Sequence, residues 1–459
     1  MKKKLILVIS LVVIMLLFTA CGKESYKFKA LQGGPSLSDP VIGNNSLAVQ
    51  KGSYVYMVNG VAAATSGDNK FGTPIKGAIY RLKLSSSGEV EETLLMAPKV
   101  FYSRNADNGL YIEGNKLFYM SPSTQKDKSG STLYYYNDIF SVNLDGTGTK
   151  KVGTVDTFTW STFVTIDGKV YFLYQKPSDT TSSIYSLSED GKTVQIVDEY
   201  TSSVFGDGYI YFTKTKEKQE GQIEGEERYN KVYRKAVMGG DGEEVLLTNG
   251  KNLSEDKYII TLNSFKDGHL FYSKNVSAGS SALELYFAYK SGIEPIQLTY
   301  SECANPFFIG FDSSGNYRGT IIYKESQLWL LKAGELGGIA VTSIDSGFTY
   351  LEISGNVLCV ISSDRVYKIN VFDESGVPQF TSKVNITKFT LTIAINNYMP
   401  KIIGNYVYFI GTATESYYSD YMYRHNITLT ELDDEYIPER LGVMSKEDIE
   451  AMEEAEAEE

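Results

Sequence analysis

Cysteine, histidine, tryptophan and proline are all scarce in this chain of 459 residues, with 3, 2, 2 and 11 copies respectively. Each shortage removes a class of explanation. Cys21, Cys303 and Cys359 offer no spacing pattern from which a disulfide framework would be read, and whether Cys303 and Cys359 pair is open. Cys359 reads as a small apolar strand residue. Two histidines, His269 and His425, give no zinc-ligand spacing, and no serine elbow or phosphate loop is present, so neither a metal nor a cofactor is expected. Asp-Gly pairs are frequent, but they lack the 12-residue pattern of a calcium loop. Beyond Lys2–Lys4 no basic run is found either. The net charge is −12, and residues 431–459 hold thirteen acidic side chains against Arg440 and Lys446. Nucleic acid, which needs a concentrated cationic surface, is not an expected partner.

The one long apolar run is at the start. Met1-Lys-Lys-Lys4 is cationic, Leu5 to Phe18 is apolar, and Thr19-Ala20 precede Cys21. The run is shorter than the ~20 residues of a spanning helix and reads as a signal peptide over 1–20. Phe18-Thr-Ala-Cys21 resembles the lipobox of bacterial lipoproteins, with Phe18 where that family usually has leucine. The resemblance implies that Cys21 becomes the first mature residue and carries palmitate-type acyl chains. The partner there is a membrane, residues 21–26 form a tether, and the protein faces the extracytoplasmic side.

Tyrosine is what the chain has in excess, with 35 copies, and it favours strands. The pattern around Phe205-Gly-Asp-Gly-Tyr-Ile-Tyr-Phe212 recurs. A strand b appears as Tyr54–Met57, Lys116–Tyr119, Lys169–Phe172, Tyr209–Phe212, His269–Tyr272, Thr320–Tyr323, Val357–Val360 and Tyr406–Phe409. A strand c centres on Tyr80, Phe140, Tyr185, Tyr233, Tyr286, Trp329, Tyr367 and Tyr423, at a mean period of 49 residues. Turn pairs such as Asp167-Gly168, Asp207-Gly208 and Asp267-Gly268 tolerate the positive φ of two-residue hairpins and join a preceding strand a to b. Asp145-Gly146, Asp190-Gly191 and Asp241-Gly242 join c to a strand d. Each unit is a four-stranded meander that cannot bury both faces alone, so the expected fold is an all-β propeller of eight blades, with seven as the alternative.

These repeats resemble those of uncharacterised Gram-positive lipoprotein propellers, themselves similar to the YWTD propellers of low-density-lipoprotein-receptor proteins. The resemblance covers about residues 45–430 and implies the fold and an extracytoplasmic location. It brings no catalytic residues, and the YWTD tetrad itself is absent. The propeller is expected over 27–430, with an acidic, partly helical tail over 431–459. Tyr26–Leu31 alternates without a repeat of its own and is expected to supply the fourth strand of the last blade.

Antiparallel order puts the a–b and c–d turns on one rim and the b–c and d–a connections on the other. The long b–c stretches mark the second rim as a binding face for a protein or glycan. Candidate contacts are Tyr134, Tyr135, Tyr136, Tyr417 and Tyr418, which otherwise begin strand c and pack. Trp160, Arg104 and Tyr398 stand at d–a entrances near the channel mouth, Trp160 being either a ligand platform or a packing residue. Both histidines read as structural. The alternatives to a non-catalytic binding protein are a glycan-active hydrolase or lyase using paired carboxylates at the channel mouth, and an envelope assembly scaffold.

Overall fold

The computed structural model describes residues 30–60, 77–99, 108–123, 136–156, 160–177, 182–215, 230–245, 259–275, 284–290, 295–301, 306–333, 338–343, 350–362, 365–380, 384–385, 400–411, 421–429 and 438–443. They form eight sheets, each an antiparallel meander a-b-c-d, spanning 48–97, 110–156, 161–197, 202–244, 259–301, 307–343, 350–385 and 401–440. The a strands of neighbouring blades approach one another, as in blades 8 and 1, 1 and 2, 4 and 5, and 7 and 8, so the a strands line the axis. The molecule is an eight-bladed β-propeller.

The turn chemistry acts as expected. Seven of the eight a–b turns hold two residues; the sixth blade uses 312–316. Asp167, Asp207 and Asp267 have φ of 50°, 49° and 50°, each followed by a glycine at positive φ, the conformation that matches hairpin twist. The repeating aromatics face each other directly across strands b and c. Tyr119–Phe140, Tyr174–Tyr185, Phe212–Tyr233, Tyr272–Phe287 and Phe409–Tyr423 are all register partners, with ring centroids 5.3–6.1 Å apart, Phe287 taking the place expected of Tyr286 in blade 5. Such pairs each stabilise a sheet by roughly 0.5–1.5 kcal/mol beyond their burial. Beside the c-strand aromatic, the c–d register slips in blades 1, 2, 3, 5 and 6. A bulge repeated at one place adds twist to the outer strand of each blade.

Closure differs from the expectation. The fourth strand of the last blade is Glu439–Arg440, which pairs with Tyr423 and Arg424, and it comes from the stretch read as an acidic tail. Behind it Leu441 is buried in the cluster that unites blades 8, 1 and 2. Asn59 of blade 1 then locks Val443, donating from Nδ2 to its carbonyl at 2.9 Å and accepting its N–H at 2.7 Å. Residues 26–29 lie outside the described residues. Leu31 donates its N–H to the Asp145 carbonyl of blade 2 and packs on the first blade's core.

The chain then runs along the axis. Val41–Ile42 adds to the inner edge of Ala48–Lys51. Asn44 exchanges two hydrogen bonds with the backbone of Ile112 in blade 2. Asn45 does the same with Phe163 in blade 3. Each side-chain amide thus stands in for a neighbouring strand on an edge that would otherwise be unpaired.

Candidate functional site

Two regions qualify, one on each rim. The b–c connections of blades 1, 2, 4, 5 and 8 run over 59–78, 123–135, 216–229, 276–283 and 412–420, whereas those of blades 6 and 7 hold only residues 325–326 and 363–364. The long b–c connections therefore leave from one rim, in two groups: blades 8, 1 and 2, and blades 4 and 5. Arg104, Tyr134, Tyr135, Tyr398, Tyr417 and Tyr418 lie outside the described residues, as does Cys21. Tyr136 opens strand c of blade 2, half-buried, opposite Asp156. Trp160 immediately precedes strand a of blade 3. Its carbonyl accepts the Gln175 N–H at 2.9 Å, and its ring packs on the cluster between blades 3 and 4. Trp329 packs on Ile322 and Leu331.

The second region is the seam between blades 7 and 8. Strands a, b, c and d of blade 7 (Tyr350–Ser354, Val357–Ser362, Arg365–Asn370 and Val384–Asn385) bring Glu352, Cys359, Lys368 and Val384 into one cross-strand row. Row partners share a face, and this one meets blade 8. Glu352 Oε1 pairs with Lys401 Nζ at 2.5 Å, and its Oε2 accepts the Ile402 N–H at 3.1 Å. Lys368 Nζ donates to the Ile427 carbonyl at 3.2 Å. His425, on strand c of blade 8, is fully buried close enough to feel the Lys368 charge.

Burial dominates the electrostatics. It lifts the Glu352 carboxyl above its ordinary range against the pull of Lys401. It pushes the Cys359 thiol up to about 12 and holds the Lys368 ammonium below the usual lysine value. Burial, then the Lys368 charge, press His425 down to about 3, so its imidazole is neutral at physiological pH. A cavity of about 580 Å3 opens in this seam on the short-turn rim, between the Gly355 and Gly404 turns, with Val357, Lys368 and Val384 in its wall.

His269, by contrast, is half-buried. Its Nδ1 is 2.7 Å from the Asp267 carbonyl, and its ring stacks on Phe311 at 3.9 Å. The sequence reading passed over Lys368, Glu352 and the seam. The available signal was Cys359, where sister repeats carry tyrosine.

No family model matches the chain, and no curated protein matches it. Among solved structures, a puromycin-hydrolysing peptidase of Mycobacterium tuberculosis aligns at 10% identity and TM-score 0.43, over 71% of this chain and 52% of the peptidase. The chain thus spans about half of that protein's length. The β-propeller domain of the Trilobed protease from Pyrococcus furiosus aligns at 10% identity and TM-score 0.39, over 88% of this chain and 98% of the domain. BamB from Moraxella catarrhalis aligns at 12% identity and TM-score 0.39, over 78% and 96%. The propeller assignment rests on the strand order and pairings described above.

Proposed function

We propose that this chain is an extracytoplasmic ligand-binding propeller, tethered to a membrane through a lipid on Cys21, which takes a protein or glycan on its long-connection rim without catalysis. The observation that carries the reading is the inequality of the two rims. The a–b turns hold two residues in seven blades and the c–d connections are long only in blades 7 and 8 (371–383 and 427–438), while five blades send long b–c stretches to the other rim. Repeat folds gather ligand contacts where their insertions gather. The arc over blades 8, 1 and 2 rests on the largest buried cluster among the described residues, so loops there stand on a rigid base.

The test has two arms. Cys21→Ser should move the protein from the membrane fraction to the soluble one; retention at the membrane counts against the anchor. Replacing 124–135 by a two-residue turn should abolish capture of a glycan-array ligand, or of a cross-linked surface protein, while the melting temperature is unchanged. Undiminished capture would sink the rim as the binding face.

A further inference from the structure

The cavity between blades 7 and 8 has a cause that comparison with sister blades exposes. In blades 1, 4 and 8 the residue after the strand c aromatic is arginine: Arg81, Arg234 and Arg424. Each guanidinium lies over the tyrosine that opens strand b, at 5.0 Å from Tyr54, 4.7 Å from Tyr209 and 4.3 Å from Tyr406. Each sits opposite a second tyrosine in register: Tyr56, Tyr211 and Tyr408. Strand d supplies a carboxylate. Glu439 pairs with Arg424 at 2.7 Å, Glu92 lies 3.9 Å from Arg81, and Glu243 is the register partner of Arg234. One cation, two rings and one carboxylate fill that position.

Blade 7 keeps only the cation. Lys368 holds the arginine's place, Val357 and Cys359 replace the two tyrosines, and Val384 replaces the glutamate. The cavity lies where the first ring and the carboxylate are missing. Lys368 is 5% exposed, and among the described residues its ammonium has a single hydrogen bond, to the Ile427 carbonyl, and no ion pair. A desolvated ammonium that lacks an anion is costly unless something supplies one. The volume is in the range of small-ligand sites.

We infer that the blade 7–8 cavity is a binding site for a small organic carboxylate with a flat apolar body, its carboxylate on Lys368 and its body against Val357 and Val384. Such a molecule restores from outside what the sister blades build from their own side chains. Gly355 and Gly404 at the mouth carry no side chain, and Asn405 beside Gly404 stands in the lining. The site lies on the rim opposite the long b–c connections and is independent of any ligand held there.

The test uses the full chain with para-hydroxyphenylpropionate, its amide and inorganic phosphate as probes, read by calorimetry and by thermal shift. The carboxylate is expected to bind and raise the melting temperature, and the amide to bind at least ~10-fold more weakly, as loss of a charge-assisted hydrogen bond implies. Lys368→Met should weaken the carboxylate ~10- to 100-fold without unfolding the chain, and Lys368→Arg should retain it. Val384→Glu places a carboxylate in register with Lys368 and should abolish binding while keeping or raising the melting temperature. Equal binding of carboxylate and amide, carboxylate binding unaffected by Val384→Glu, or a response to phosphate alone would each overturn the assignment, as would no binding of the carboxylate.

Discussion

Blades 7 and 8 have the same strand plan and similar turns, yet their corresponding rows differ at every position. Blade 8 reads Lys401, Tyr408, Arg424 and Glu439; blade 7 reads Glu352, Cys359, Lys368 and Val384. In blade 8 the cation is a staple: Arg424 donates to the Gly88 carbonyl of blade 1 at 2.8 Å and so joins the last blade to the first. In blade 7 it stands on the wall of a cavity, bonded to the Ile427 carbonyl and with no ion pair among the described residues. The backbone pattern of a repeat is set by turns and alternating apolar residues. What fills the space between blades is set by a few side chains that can change without disturbing that pattern.

The largest expected effect breaks the better-filled blade. Ending the chain after residue 438 removes Glu439–Arg440, Leu441 and the Asn59–Val443 lock. It should leave insoluble protein or no cooperative melt, whereas ending it after residue 443 should leave the melting temperature unchanged. Equal behaviour of the two truncations would show that blade 8 closes by other means. Next comes the cross-strand pair. Phe409→Ala in blade 8 empties a space facing Tyr423 and should cost about 3–5 kcal/mol by denaturant unfolding. Val360→Ala at the equivalent place in blade 7, facing Tyr367, should cost less, roughly 1.5–3 kcal/mol. A larger cost in blade 7 would mean that its packing is the tighter of the two.

The same contrast explains what the sequence revealed. Eight units were legible because tight turns rich in Gly, Asp and Asn and an aromatic on strand c are local signals that recur around the ring. The last strand was not legible: Glu439–Arg440 is two residues long, lies among acidic residues, and is held by Arg424 and by Leu441 rather than by an alternating pattern. The path along the axis was hidden for a related reason, since Asn44 and Asn45 act through side-chain bonds 68 and 118 residues away. Of the seam, Cys359 was visible as a departure from tyrosine. The cavity beside Lys368 was not, because it depends on what three other blades place in the same position.

Acid titration probes the seam from the blade 8 side. His425 takes its proton at about 3 in the native state, against an ordinary value of 6.5. As pH falls below about 6.5 the unfolded chain binds a proton that the native chain refuses, so stability falls by up to ~1.4 kcal/mol per pH unit until about pH 3. Glu352, whose pKa burial raises, contributes with the opposite sign as the native carboxyl takes up its proton. His425→Gln should therefore flatten the decline between pH 6.5 and 4 relative to the parent, measured by urea midpoints. An unchanged pH dependence would place His425 in contact with water.

Smaller effects follow from dismantling the blade 8 staple one group at a time. Tyr406→Val copies Val357 into blade 8 and removes the ring beneath Arg424; the loss should be ~1–2 kcal/mol, the size of a partly desolvated cation–π contact plus packing. Glu439→Gln should cost least, below ~1 kcal/mol, because Glu439 is half-exposed and solvent already screens it. Arg424 then keeps its bond to Gly88 and its place over Tyr406, and raising the salt concentration should narrow the gap between variant and parent. A loss above ~3 kcal/mol would show that a buried cation at this position depends on its carboxylate. In that case Lys368, which has no ion pair among the described residues, would be a strained residue, and the demand of its cavity for an external anion would be stronger still.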